Sequence, residues 1–164
     1  IAVTRVELVG EERREAIVAF LKERFPGIPV LLLESRPRVW QELYGETLEP
    51  GFLEGKEVCA FCGIGNPSSF ELTLGKLGIR LAGFKPFSDH HGYDFETVEG
   101  LGTWARELGV DTIVMTQKDA VKIPKDWLDV EGGLRWFYLS TRQSISSGGE
   151  SLVELLDKLA PRKS

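Results

Sequence analysis

Apolar residues recur along this chain with two periods, and the switches between them mark its elements. In Glu11–Phe25, Ile17, Phe20, Leu21 and Phe25 fall at spacings of three and four, one face of a helix, and Pro26-Gly27 ends it. Ala2–Leu8 reads as a short strand. Ile28–Glu34 is a continuous apolar run, as in a parallel strand covered on both faces. Ser35–Gly45 fits more than one reading, including a short helical face bearing Trp40, Leu43 and Tyr44. Thr47–Gly55, with Pro50-Gly51, reads as a loop. Glu57–Phe61 predicts a strand and Cys62-Gly63-Ile64-Gly65 a tight turn. Asn66 then suits an N-cap and Pro67 a first helical residue. That helix runs to about Leu77, with Phe70, Leu74 and Leu77 inward, and Gly78 closes it.

The same logic continues to the end. Ile79–Phe84 is a predicted strand. Asp94 caps a helix carrying Phe95, Val98, Leu101, Ala105 and Leu108, stopped by Gly109. Asp111–Met115 is a buried strand, and Thr116–Pro124 a loop with room for one helical turn. Trp127 and Leu128 pack at a place the pattern does not assign. Leu134–Leu139 is a strand, Ser144–Gly149 a polar loop, and Glu150–Leu159 a helix bearing Leu152, Leu155, Leu156 and Leu159. Strand and helix alternate, which predicts an α/β fold: a three-layer α/β/α sandwich with a mostly parallel sheet.

The length of 164 residues predicts a single domain over 1–164. A net charge of -5 argues against broad nucleic-acid binding, which needs a basic face. No apolar run approaches a membrane span, and nothing reads as a signal peptide, so the cytoplasm is the default. The chain begins at Ile1, which suggests a piece of a longer protein. Cys59-Ala60-Phe61-Cys62 spells a C-x-x-C. Within a strand, however, residues three apart face opposite sides, so two buried, divergent thiols are the better reading. Nothing in the chain supplies a set of metal ligands.

Three loops carry candidate chemistry. Gly63-Ile64-Gly65-Asn66-Pro67 opens a helix, where free N–H groups suit a phosphate or carboxylate. The plainer reading is a tight turn, which a lone G-x-G favours. Asp89-His90-His91-Gly92-Tyr93 follows a strand and holds both histidines of the chain; adjacent side chains diverge, so the two differ in role. Thr116-Gln117-Lys118-Asp119-Ala120-Val121-Lys122 follows another strand. Its lysines and aspartate suit contacts with phosphates or with each other; the plainer reading is a solvated loop, or Asp119 capping a helical turn that includes Val121. No G-x-x-x-x-G-K-[ST] phosphate loop occurs in the chain.

Taken in this order, the three loops, with Phe70 and Leu74 between the first two, resemble the C-terminal part of the tetraacyldisaccharide 4'-kinases, the lipid A 4'-kinase family. Val3-Thr4-Arg5 also looks like the family's entry into this half. The resemblance covers essentially the whole chain and is strongest over 57–122. It implies transfer of the ATP γ-phosphate to the 4'-hydroxyl of a lipid disaccharide 1-phosphate, giving lipid IVA. The setting it implies is the cytoplasmic face of the bacterial inner membrane, with peripheral membrane contact. ATP and Mg2+ would be held mainly by an N-terminal phosphate-loop domain that this sequence lacks, so the piece alone would be soluble and inactive. His90, supported by Asp89, would assist that domain's catalytic aspartate; Gly63, Gly65, Asn66, Lys118 and Asp119 would lie in substrate or nucleotide loops. The family usually has Glu where this chain has Gln117, which leaves a hydrogen bond but no charge there.

Two other classes fit part of the pattern. Asp-His-His also names a metal-dependent phosphoesterase family, which needs further aspartates at neighbouring strand ends. A non-catalytic module that binds nucleotide or a partner is the third.

Overall fold

β4 (Glu57–Cys62) is the most deeply buried strand, and its alternating side chains divide the core in two. In the computed structural model, which describes residues 1–128 and 132–159, Cys59 and Phe61 enter one apolar cluster. Val58, Ala60 and Cys62 enter the other. The first cluster packs beneath α3 (Phe95–Glu107) through Val98, Leu101 and Ala105; the second beneath α2 (Pro67–Lys76) through Phe70 and Leu74. A helix on each face of a sheet is the three-layer arrangement that the alternation predicts.

The chain divides into two compact units, 37–140 and 1–36 with 141–164. The sequence pattern, read as one domain, gives no cue to this division, because the chain passes between the units inside two strands. These are β2 (Leu31–Glu42) and β7 (Arg135–Ser147).

In the 37–140 unit, β7, β6 (Thr112–Thr116), β4 and β5 (Arg80–Pro86) lie side by side in that order, all parallel. The end of β2 joins β7, Leu43 N–H donating to Trp136 O at 2.7 Å, and pairs antiparallel with the two-residue β3 (Thr47–Leu48). Arg135 clamps the same corner with two hydrogen bonds to the Glu42 carboxylate, 2.8 and 3.1 Å, which hold that carboxyl below its usual range. The register of β5 slips by one residue at Ala82, so that Gly83 pairs with Cys59. A side chain at Gly83 would stand 2.4 Å from Trp104 Cζ2; the glycine lets the indole of α3 lie on the sheet. Trp127 and Leu128 pack against the α3-side cluster.

In the other unit, β1 (Ala2–Thr4) pairs parallel with the start of β2, and α1 (Glu11–Arg24) and α5 (Gly149–Leu159) complete it. Neither helix has a buried residue. The separate apolar face expected on α1 is not formed, because 16–21 is apolar all round the helix, and Phe20 there is 63% exposed; α5 does have an apolar face, with Leu156 54% exposed.

Several expected boundaries shift, and Thr47–Gly55, read as a loop, holds β3 and a 3-10 turn over Pro50–Leu53. The first strand stops at Thr4 because Arg5 takes a left-handed φ of 59° and a short 3-10 turn follows over Val6–Leu8. The second begins at Leu31, after Pro29, which lacks the N–H a ladder needs. Ser35–Glu42 is strand and not helix: Arg36 and Arg38 face solvent while Trp40 is fully buried, its indole donating to Pro50 O at 2.9 Å. Ser144–Ser147 continues β7 and is polar because it is largely exposed.

Candidate functional site

Parallel strands deliver their following loops to one edge of a sheet, and here β4, β5 and β6 deliver the three loops singled out in the sequence. Their backbones interlock. Phe87 N–H donates to Cys62 O at 2.8 Å, and His90 N–H to Gly63 O at 3.3 Å. Gly63 lies where the three meet: a Cβ there would stand 3.1 Å from His91 Cβ, 3.1 Å from the Tyr93 hydroxyl and 3.2 Å from Asp119 Oδ1. A side chain at that position would force the loops apart. At Gly65 the same test meets Asp89 Oδ2 at 3.2 Å, so the first loop abuts the second at its carboxylate.

The two histidines separate in role, as adjacent side chains should. His90 has φ 58° and its side chain is 86% exposed. Its Nε2 stands 3.9 Å from Asp89 Oδ2, and its N–H donates to Asp89 Oδ1 at 3.1 Å. His91 turns the other way. Its ring stacks on Phe87 at 4.5 Å between centroids and meets Tyr93 edge-on at 5.0 Å. Its Nε2 is buried with no hydrogen-bond partner among the described residues.

Asp119 closes the constellation from below. It is fully buried inside α4 (Gln117–Ala120), one turn long, and does not cap it as the sequence suggested: Thr116 is the cap, accepting from Asp119 N–H at 3.3 Å. The Asp119 carboxylate accepts from the Tyr93 hydroxyl at 3.1 Å and from the Thr116 hydroxyl. It also pairs with Lys122 Nζ at 3.4 Å, and that ammonium donates to His91 O at 3.0 Å. Burial, and next the Asp119 charge, push the Tyr93 phenol above its usual range, so it stays a donor at all ordinary pH. The same two causes raise the Cys62 thiol to about 11. Cys59 is raised too, mainly by burial. Both thiols are free and buried in opposite clusters, so the C-x-x-C is neither a disulfide nor a shared site.

Gly63, Gly65, Asp89, His90 and Asp119 are thus brought together. Asn66 acts as the N-cap, its Oδ1 accepting from Ser69 N–H at 3.2 Å. Lys118 lies exposed on α4. Reasoning from sequence missed the roles of Tyr93, Thr116 and Lys122 as the links between loops. The Thr-x-x-Asp spacing of a capping box was the available signal for Thr116. Among the described residues, no three His, Cys, Asp or Glu side chains gather as a ligand cluster. No helix among those residues is long and apolar enough to cross a membrane.

The arrangement defines an α/β protein that presents a solvent-facing Asp–His pair from a buried, hydrogen-bonded base. A crystal structure titled the "apo" form of LpxK from Aquifex aeolicus in complex with ATP has a similar fold. Its TM-score is 0.54 at 21% identity, over 96% of this chain and 51% of that one. The family model described as Tetraacyldisaccharide-1-P 4'-kinase matches residues 2–160, and the chain belongs to that family. A tetraacyldisaccharide 4'-kinase of Desulfotalea psychrophila is 47% identical over 69% of the chain and 32% of its own length. One of Rhodospirillum rubrum is 42% identical over 74% of the chain and 34% of its own length. The chain therefore spans about a third of these relatives.

Proposed function

We propose that this chain is the part of a tetraacyldisaccharide 4'-kinase that brings His90 to the phosphate-transfer site. The family match over residues 2–160 carries this reading. In the reaction, the 4'-hydroxyl oxygen of the lipid disaccharide 1-phosphate bonds to the γ-phosphorus of ATP. The bond from that phosphorus to the β–γ bridging oxygen breaks, ADP leaves, and the hydroxyl proton passes to a carboxylate. That carboxylate, the phosphate loop and the ligands of Mg2+ belong to the upstream part of the protein, since this chain has no phosphate loop. Mg2+, when bound there, neutralises phosphate charge.

His90 would donate a hydrogen bond to that carboxylate and hold it ionised, with Asp89 orienting the imidazole. The exposure of His90 supports this, because a side chain that must meet another part of the protein cannot be packed into its own loop. The interlocked loops beneath it supply rigidity. The exposed apolar face of α5, with Phe20 exposed on α1, fits partners upstream in the same protein. Peripheral contact at the cytoplasmic face of the inner membrane completes the reading, because the acceptor is a lipid.

The test is transfer of label from [γ-32P]ATP by the full-length protein with Mg2+ and the tetraacyldisaccharide 1-phosphate. The expected result is one labelled 4'-phosphate per ADP formed. ATP turnover unaffected by the lipid, or Mn2+-dependent phosphoester hydrolysis in place of transfer, overturns the reading.

A further inference from the structure

Lys122 belongs to the third loop, but its ammonium serves the second. Its backbone is fixed at the end of α4, the N–H donating to Asp119 O at 3.0 Å. From there Nζ donates to the His91 carbonyl at 3.0 Å and pairs with Asp119 Oδ1 at 3.4 Å. It also stands 5.5 Å from the centre of the Tyr93 ring. A charged donor makes a stronger hydrogen bond than a neutral one. The buried Asp119 carboxylate and the ring confine the long side chain, so its grip on His91 O is a fixed one.

His90 needs such a grip. Its φ of 58° lies in the left-handed region, which glycine enters freely and a residue with a Cβ does not. Such a conformation persists only where its surroundings hold it. Before it, His90 N–H donates to Gly63 O at 3.3 Å and to Asp89 Oδ1 at 3.1 Å. After it, His91 N–H donates to Ser88 O at 3.1 Å, and the His91 carbonyl accepts from Lys122. Gly92, next in the chain, has open space where a Cβ would be and holds nothing in place. Without the Lys122 ammonium the His91–Gly92 peptide is free to turn. His90 can then return to negative φ, and its imidazole, now 86% exposed, swings to another direction.

We propose that Lys122 is a positioning residue: by holding the His91 carbonyl it keeps His90 left-handed and its imidazole aimed out of the loop. The effect on catalysis rests on the phosphate-transfer reading. The effect on the His90 backbone does not.

The test is Lys122→Met in the full-length protein, alone and combined with His90→Ala. Alone, it should lower kcat for phosphate transfer about tenfold, short of the loss expected on removing His90 itself, with KM for ATP and acceptor unchanged. Added to His90→Ala, it should change kcat by less than about twofold, because a residue that acts through His90 has nothing left to position. A backbone readout accompanies the kinetics. Positive φ brings a residue's HN and Hα close together, so His90 should give a strong intraresidue NOE that weakens in Lys122→Met, with His90→Ala identifying the resonance. If Lys122→Met fails to fold because Asp119 is left buried without its counter-ion, Lys122→Met with Asp119→Asn carries the same test. That pair removes both charges and keeps an acceptor for the Tyr93 and Thr116 hydroxyls. Unchanged kcat, an equal loss in the His90→Ala background, or an unchanged NOE overturns the proposal. Full activity in His90→Ala alone overturns the phosphate-transfer reading instead, and the NOE then decides by itself whether Lys122 sets the His90 backbone.

Discussion

At the scale of single residues, side-chain direction separates neighbours that composition treats alike. His91 is built into aromatic packing with Phe87 and Tyr93, and each such contact is worth roughly 0.5–1.5 kcal/mol beyond burial. His91→Ala should therefore destabilise the fold by about 1–2 kcal/mol, seen as a lower melting temperature. The thiols give a second prediction. With its thiol raised to about 11, Cys62 stays protonated at pH 8, and Cys59 is shifted the same way. A thiol reagent at pH 8 should label neither cysteine in the native protein and both in denaturant; rapid native labelling would contradict the burial. The divergence of the two thiols was legible from strand period alone. Which histidine turns outward was not, because it depends on the left-handed φ of His90, a choice made by the hydrogen bond to Gly63 O across the loops.

At the scale of elements, one buried carboxylate ties the second loop to the third. Removing Asp119 leaves the Tyr93 hydroxyl without its acceptor and the Lys122 ammonium, 28% exposed in its side chain, without its carboxylate partner, holding only the His91 carbonyl. Asp119→Ala should cost about 3 kcal/mol, the lower end for a broken buried pair because Lys122 still reaches water. Thermal unfolding measures it, and a change below 1 kcal/mol would mean that the loops are held by backbone contacts alone. The caps Asn66 and Asp94 were readable, since each needs only local chemistry: their side chains accept from Ser69 and Thr97 N–H. The lengths of β2 and β7 were not readable. The parts that were missed, Ser35–Glu42 of β2 and Ser144–Ser147 of β7, are mostly polar, and such residues become strand only through a partner far away in the chain, as when Ser146 Oγ donates to Leu32 O at 3.3 Å.

At the scale of the whole molecule, the family resemblance was legible because three loops occur in a fixed order, although each alone is ambiguous. The two-unit division was hidden, since no glycine- or proline-rich linker marks it. The exposed apolar residues Phe20 on α1 and Leu156 on α5 make a prediction at this scale. If upstream chain covers them, Phe20→Asp and Leu156→Asp should each lower the melting temperature of the full-length protein by the equivalent of about 2 kcal/mol. An exposed surface position would tolerate either change within about 0.5 kcal/mol.

The central claim is that this chain contributes His90 to chemistry whose phosphate loop lies upstream. The most direct measurement is kcat for phosphate transfer to the lipid acceptor by full-length His90→Ala, with the melting temperature measured alongside. The account predicts a fall of about 10²-fold or more with the melting temperature unchanged, since the side chain is 86% exposed. Full activity in a folded His90→Ala protein would contradict it.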